Sequence, residues 1–437
     1  MESSSALGNI SIVATAAVYV VVGCLVVLLP ALVVAFAYTT RRSKTDNAGD
    51  SDDATAAASG TTQKLSQYEV HKQHERTEGA EQVLITGGAG FLGSYLVDEL
   101  VRRPATDVHV FDLRLPDSKR RCPRVASYTR GDVTDLEHVT KALAGIHTVF
   151  HVAGVSSHDL DVAVTKKMTY KINVTGTENI VRACKENGVK KLIFTSTCIA
   201  TLGKNDREAK GWTEAQPYPE EPVNEYASSK IAAEKIVRKA NGRAGLATCV
   251  VRPAGMFGIG DNIMADMALR GKDNYYIGDG TAHLDVIDVY SAVHGHLCAA
   301  KHLSPAGNKP PIAAGKTYNI TGGRPVMYKE FFGGLCKGRE SFWGHRPPKK
   351  IPVQIASLFA SVNEIVYNAF GVVPFARSLT KLSVDLTQRT YWFDNSLAAK
   401  EIGYSPLKSW RNAVDDVVKD YRHRLRPQSQ PNPHSIP

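Results

Sequence analysis

The sequence predicts an α/β fold built on a doubly wound parallel sheet, and three observations carry that reading. Short apolar runs near residues 82–86, 107–112, 147–152, 191–195 and 247–252 alternate with segments of helix length, the order that parallel strands joined by crossover helices require. The first run, Val83-Leu84-Ile85-Thr86, breaks at once into Gly87-Gly88-Ala89-Gly90-Phe91-Leu92-Gly93, a strand entering a helix through glycines. Beyond Arg252-Pro253 the alternation loosens into loops and shorter elements. A chain of 437 residues, 43% apolar and 22% charged, is long enough and ordinary enough in composition to bury a full core.

Taken in order, the chain opens on Ile10 to Tyr38, which holds no charged side chain and is mainly Val, Leu and Ala. About 20 such residues cross a bilayer core, with Pro30 tolerable as a kink, so a single transmembrane helix over residues 10–38 is expected. The alternative is a cleaved secretory signal, since Ala35-Phe36-Ala37 resembles a cleavage site. Against it, the run far exceeds the ~7–15 apolar residues of a signal, and no Lys or Arg precedes it. Arg41, Arg42 and Lys44 follow the run while only Glu2 precedes it, which by the positive-inside rule puts the remainder in the cytosol. Residues 39–81 are rich in Ser, Thr, Ala, Asp and Gly, cannot offset the entropy of ordering, and are expected to be a flexible linker.

The glycine turn suits a dinucleotide pyrophosphate. Gly87 serves the tight turn, Gly90 lets backbone approach the phosphates, and Gly93 lets the new helix, expected over Ser94 to Arg102, pack on its strand with its N-terminus facing the negative charge. Taken alone, the same glycines could form an unremarkable surface turn. The next run, Val108-His109-Val110-Phe111, ends in Asp112, at about the distance where a carboxylate reaches the adenosine ribose hydroxyls. An acid there repels a 2′-phosphate, so NAD is the expected cofactor; Arg114 argues the other way and keeps NADP as the alternative.

A later strand, Lys191-Leu192-Ile193-Phe194-Thr195-Ser196-Thr197, delivers hydroxyls at its C-terminal end, where open α/β sheets bind ligands. Tyr226-Ala227-Ser228-Ser229-Lys230 follows, in a helix expected to run through Lys239, and the four-residue spacing puts Tyr226 and Lys230 on one face. Such a pair is commonly a solvated helix face. Downstream of a glycine turn and a hydroxyl-ended strand it reads as a catalytic pair, in which the ammonium, helped by the positive nicotinamide ring, is expected to lower the tyrosine pKa and make Tyr226 a usable base.

These two motifs, Thr86-Gly87-Gly88-x-Gly90-Phe91-x-Gly93 and Tyr226-x-x-Ser229-Lys230, make the chain resemble the extended short-chain dehydrogenases over roughly residues 82 to 425. The resemblance takes in Gly131-Asp132-Val133-Thr134-Asp135, where the family's aspartate contacts adenine, and Val149-Phe150-His151-Val152-Ala153-Gly154. It implies a Rossmann-type domain over 82–252 and a smaller substrate-binding lobe over 253–425. It also implies Tyr226, Lys230 and Thr197 as catalytic residues, Thr197 standing where serine is more usual, and cofactor contacts from Gly87, Gly90, Phe91, Leu92, Gly93, Asp112, Asp132, Val133, Ala153, Gly154, Ser196, Tyr226, Lys230 and Pro253. Val250-Val251-Arg252-Pro253-Ala254-Gly255-Met256-Phe257-Gly258, Val286-Ile287-Asp288-Val289, Thr317-Tyr318-Asn319-Ile320-Thr321 and Thr390-Tyr391-Trp392-Phe393-Asp394 are similar to the 3β-hydroxysteroid dehydrogenase branch and, within it, to the decarboxylating sterol-4α-carboxylate dehydrogenases. That branch implies a sterol or related terpenoid as a lipophilic substrate, the endoplasmic reticulum membrane as location, and a homodimer or a complex with other sterol C4-demethylation enzymes. Several of these motifs recur in sugar-nucleotide epimerases.

The rest of the chain limits the alternatives. The net charge of +10 comes from scattered Lys and Arg with no basic stripe, so no nucleic-acid partner is expected. The 7 cysteines show no pairing and no zinc spacing, so no metal is expected, and Cys198 reads as a small buried residue before it reads as a nucleophile. Ile351 to Phe375 is apolar but broken by Pro352, Asn363, Glu364 and Asn368, which fits lobe core or a surface helix dipping into a bilayer interface better than a second span. Residues 426–437, with Pro427, Pro431, Pro433 and Pro437, are expected to be a disordered tail.

Overall fold

The computed structural model describes residues 68–155, 166–261, 275–334 apart from 306 and 308, 349–370 and 379–425. The expected transmembrane helix at 10–38, the linker as far as residue 67 and the tail at 426–437 lie outside the described residues. Among the described residues no helix is long and apolar enough to cross a membrane.

Eight strands form the central sheet: β1 (Glu69–Lys72), β2 (Glu81–Thr86), β3 (Thr106–Asp112), β4 (Val125–Arg130), β5 (Thr148–His151), β6 (Lys191–Thr195), β7 (Ala247–Pro253) and β8 (Thr317–Ile320). Their order is β1-β4-β3-β2-β5-β6-β7-β8, parallel throughout except for the β1–β4 edge. The apolar runs are continuous because both faces are covered. Alternate residues serve opposite layers: Val83 and Ile85 of β2 and Ile193 of β6 face one core, Leu84, Leu192 and Phe194 the other. Helices α1 (Phe91–Leu100) and α4 (Val289–His302) cover the first face, and α2 (Gly176–Glu186) and α3 (Glu225–Ala240) cover the second.

The chain runs from β2 outward through β3 to β4, then returns to build β5 to β8 on the other side. The carboxyl ends of β2 and β5 therefore flank the point where strand order reverses, and a crevice opens there.

Two expected boundaries move. Residues 69–72, assigned to the linker, pair with β4, and Thr77 bonds Asp107 through its N–H (2.6 Å) and its hydroxyl (2.9 Å). Strand β1 buries none of its side chains and is held by backbone hydrogen bonds along an otherwise open sheet edge, so composition did not reveal it. The stretch after residue 253 likewise returns α4 and β8 to the sheet. The lobe proper joins helices to short strand pairs, one of which, Thr390–Phe393 with Glu208–Trp212, draws on the first half of the chain.

Within 351–375, helix α5 (Val353–Phe370) buries Ala356, Ala360 and Val366 on one side and leaves Ile355, Leu358, Phe359 and Ile365 exposed on the other. One apolar face is therefore lobe core and the other is open, while residues 371–375 lie outside the described residues.

Candidate functional site

The turn after β2 is shaped by its glycines. Gly87 has φ +70°, and a Cβ on it would come within 2.8 Å of the Ala153 backbone nitrogen. A Cβ on Gly93 would lie 2.0 Å from the Gly87 carbonyl oxygen, so the helix rests directly on the turn. Gly90 is the N-cap of α1 and supplies no side-chain cap, and the first turn holds no acidic residue. The helix N-terminus is left open to an anion. Asp112, at the end of β3, accepts N–H bonds from Ala89 (3.0 Å) and Arg114 (3.0 Å), which tie the turn to the strand, while burial pushes its carboxyl up.

These groups border a cavity of about 520 Å³ at the strand-order reversal. Of the residues expected at the site, Gly87, Gly90, Phe91, Leu92, Gly93, Asp112, Asp132, Val133, Ala153, Gly154, Ser196, Tyr226 and Lys230 line it. Thr197 and Pro253 do not. Thr197, partly buried, opens the short turn Cys198–Thr201 one residue beyond Ser196, and Pro253 is buried at the end of β7 opposite Ile320, with Met256 occupying the wall instead. Met256, in a short strand, and Ile172, in the helical turn Lys171–Thr175, also line the cavity, and neither was legible in the sequence because an apolar side chain carries no distinctive signal of a cavity wall.

Tyr226 and Lys230 enter from α3, whose N-terminus is capped by the Asn224 side chain accepting from the Ala227 N–H at 2.7 Å. Lys230 Nζ donates to the Thr195 carbonyl oxygen at 2.8 Å and stands 5.9 Å from the centre of the Tyr226 ring. Burial lowers the Lys230 pKa to about 8, with Glu234 acting in the opposite direction. Burial also pushes the Tyr226 phenol up to about 12. The lowering expected of Tyr226 calls on Lys230 together with the positive nicotinamide ring; the Lys230 ammonium is itself directed at a backbone carbonyl.

Below the pair lies a group that the sequence reading passed over. Glu234 is fully buried and accepts from Ser196 Oγ, from Tyr218 Oη at 2.6 Å, and from Arg252 through Nε at 2.8 Å and Nη2 at 2.6 Å. Carrying the Tyr226-to-Lys230 spacing one step further reaches Glu234 on the same face, and that signal was available. Ser196 lines the cavity, but its hydroxyl proton is committed to Glu234. Cys198 is buried with its thiol directed at the Arg252 carbonyl oxygen at 3.0 Å and its pKa pushed well up by desolvation, which suits a packing role.

The model of the 3-beta hydroxysteroid dehydrogenase/isomerase family matches residues 84–354. The chain is 32% identical to 3beta-hydroxysteroid-dehydrogenase/decarboxylase isoform 1 of Arabidopsis thaliana over 380 residues, covering 82% of this chain and 83% of that protein. It is 31% identical to the decarboxylating sterol-4-alpha-carboxylate 3-dehydrogenase of Mus musculus, covering 79% and 92% respectively. Among solved structures, UDP-glucose 4-epimerase of Thermotoga maritima shares the fold with a TM-score of 0.61 at 23% identity, over 79% of this chain and 99% of that one.

Proposed function

The chain belongs to the 3-beta hydroxysteroid dehydrogenase/isomerase family, and from that premise we propose that it oxidises the 3β-hydroxyl of a 4α-carboxysterol or related terpenoid with NAD, the product then losing CO₂. The observation that carries the reading is one cavity bordered at one end by the glycine turn and Asp112 and at the other by Tyr226 and Lys230. The site fits a dinucleotide: the helix N-terminus is uncapped by any side chain, and Gly90 presents bare backbone to the cavity. Gly87, Gly90 and Gly93 would hold the pyrophosphate, Asp112 the adenosine ribose, and Asp132 and Val133 the adenine. When bound, NAD would supply the hydride acceptor and a positive charge to the site.

Tyr226 takes the proton of the substrate hydroxyl, and Thr197 holds the oxygen. As phenolate and ammonium, Tyr226 and Lys230 offset one another's charge, which limits the desolvation that opposes either ion alone. Oxidation at carbon 3 leaves a ketone beside the 4α-carboxylate. This β-keto acid breaks its carbon–carboxyl bond, the electron pair passing into the enolate, and the reaction calls on no further side chain.

Membrane placement is part of the proposal. The apolar run at 10–38 would anchor the chain in the endoplasmic reticulum membrane with the catalytic part in the cytosol. The exposed row Ile355, Leu358 and Ile365 of α5, preceded by Lys349 and Lys350, would rest on the lipid interface. The alternatives are a 3β-hydroxysteroid dehydrogenase, with or without isomerase activity, acting on a non-carboxylated steroid, which the family itself supports, and a sugar-nucleotide epimerase or dehydratase, which shares the fold. The deciding experiment incubates purified protein with NAD and 4-carboxysterols, plain 3β-hydroxysteroids or UDP-sugars, following NADH and CO₂ separately. NADH with CO₂ from carboxysterols alone is expected; NADH from plain steroids without preference, or turnover of UDP-sugars, overturns the reading.

A further inference from the structure

We propose that Glu234 is a positioning residue of the reaction: paired with Arg252, it holds Ser196, just beyond the end of β6, against α3 and places a fixed carboxylate one helical turn from Lys230. The inference rests on the dehydrogenase reading, although its main test does not need substrate. Four elements meet at this carboxylate. Ser196 comes from the end of β6, Arg252 from β7, Tyr218 from the loop entering α3, and Glu234 from α3 itself, one turn below Lys230 and two below Tyr226. Thr197, the proposed holder of the substrate oxygen, follows Ser196 directly. The tie therefore fixes how the hydroxyl-bearing strand end faces the tyrosine-bearing helix.

Stability alone does not account for the arrangement. A buried ion pair contributes little net stability compared with apolar packing. Here it also leaves Arg252 Nη1 buried without a partner. What the pair does provide is a fixed negative charge beside a buried ammonium.

Lys230 is faced by Tyr226 and Glu234 from its own helix and by the Thr195 carbonyl and Phe194 ring from β6. His151 faces it from β5, held neutral with its pKa down at about 3 by burial and by Lys230. Asn173, from the turn before α2, faces the same spot: a Cβ on Gly154 would meet both its Oδ1 and Lys230 Nζ at 3.1 Å. Glu234 is the group among these that raises the Lys230 pKa against desolvation. Arg252 is the counter-charge of Glu234, bonded to it through Nε and Nη2.

The two halves of a purely structural pair would act alike when removed, whereas the halves of a charge-setting pair act in opposite directions. The experiment follows the pH dependence of Lys230 labelling by acetic anhydride in the full chain, read by mass spectrometry, alongside the alkaline limb of kcat/KM. Glu234→Gln should lower the Lys230 midpoint by about one pH unit, roughly tenfold in proton affinity. Arg252→Met should raise it. Glu234→Met/Arg252→Met, an apolar replacement of the kind that buried pairs tolerate, guards against single variants that do not fold. Its midpoint should lie below that of the unmodified protein, with kcat reduced about tenfold and NAD affinity within about threefold. An unchanged midpoint in the double variant, or shifts in the same direction in both single variants, overturns the proposal. If the dehydrogenase reading fails instead, turnover is absent throughout while the labelling midpoints still move.

Discussion

Replacing Gly93 by alanine tests whether the glycine turn and the helix it feeds form one unit. A Cβ at Gly93 would lie 2.0 Å from the Gly87 carbonyl oxygen and 2.8 Å from both the Gly87 carbonyl carbon and the Gly88 Cα. Real Cβ atoms stay beyond about 3 Å of such neighbours, so the turn and α1 must separate by about 1 Å, and every atom in the way is backbone that cannot rotate aside. Overpacking costs ~1–3 kcal/mol where side chains can adjust. The upper end applies here, about 3 kcal/mol, or a melting temperature lower by roughly 4–5 °C for a unit of this size. The same displacement carries the helix N-terminus away from the pyrophosphate cradle, so NAD affinity should fall at least ~100-fold, about 2.7 kcal/mol. Gly90→Ala is the internal comparison. Its Cβ meets only the Gly87 carbonyl oxygen, at 3.2 Å, so the fold should melt within about 2 °C of the unmodified protein. NAD should still bind ~10-fold more weakly, because the methyl would sit where phosphates approach. NADH fluorescence titration and thermal melting read both. If Gly93→Ala melts and binds like the unmodified protein, or Gly90→Ala loses as much stability as Gly93→Ala, the division of labour between the two glycines is wrong.

Four further outcomes are expected. Tyr226→Phe removes a hydroxyl and no packing, so turnover should fall ~100-fold with NAD affinity unchanged, and near-normal turnover would exclude Tyr226 as the base. The Asp112 carboxylate should make NAD bind at least ~10-fold tighter than NADP, and equal affinities would shift attention to Arg114. His109, His151 and His296 are buried and held neutral, with pKa values depressed to about 4, 3 and 4. The unfolded chain takes up protons at these sites from pH ~6.5 downward while the folded chain does not, so stability is complete above that pH and is lost as pH falls toward 4; a melting temperature flat from pH 7 to 4 would refute this. Finally, a chain beginning at residue 66 should keep β1 on the sheet, bind NAD normally and lose activity mainly on membrane-embedded sterol, whereas one beginning at residue 80 should also melt lower; equal melting of the two would show β1 to be dispensable.

Much of this protein was decided by local chemistry that a sequence displays. Continuous apolar runs at regular intervals are what a strand covered on both faces requires, and they located five strands of the central sheet within about a residue. Gly87, Gly90 and Gly93 are legible because each position has a steric reason to lack a side chain, and Tyr226 with Lys230 because helix periodicity makes a four-residue spacing a statement about direction. Other features exist only once the chain has closed on itself. Strand β1 has no buried side chain to announce it and depends on an edge that β4 supplies. The acidity of Tyr226 depends on burial as well as on charge, and burial is a property of the closed cavity. The tie of Glu234 to Ser196, Tyr218 and Arg252 joins residues up to 56 positions apart in the sequence, and no local pattern specifies which of many carboxylates will find itself buried against an arginine. Spacing along the chain determines which side chains share a face; only packing decides which faces meet, and with them the solvation that sets each charge.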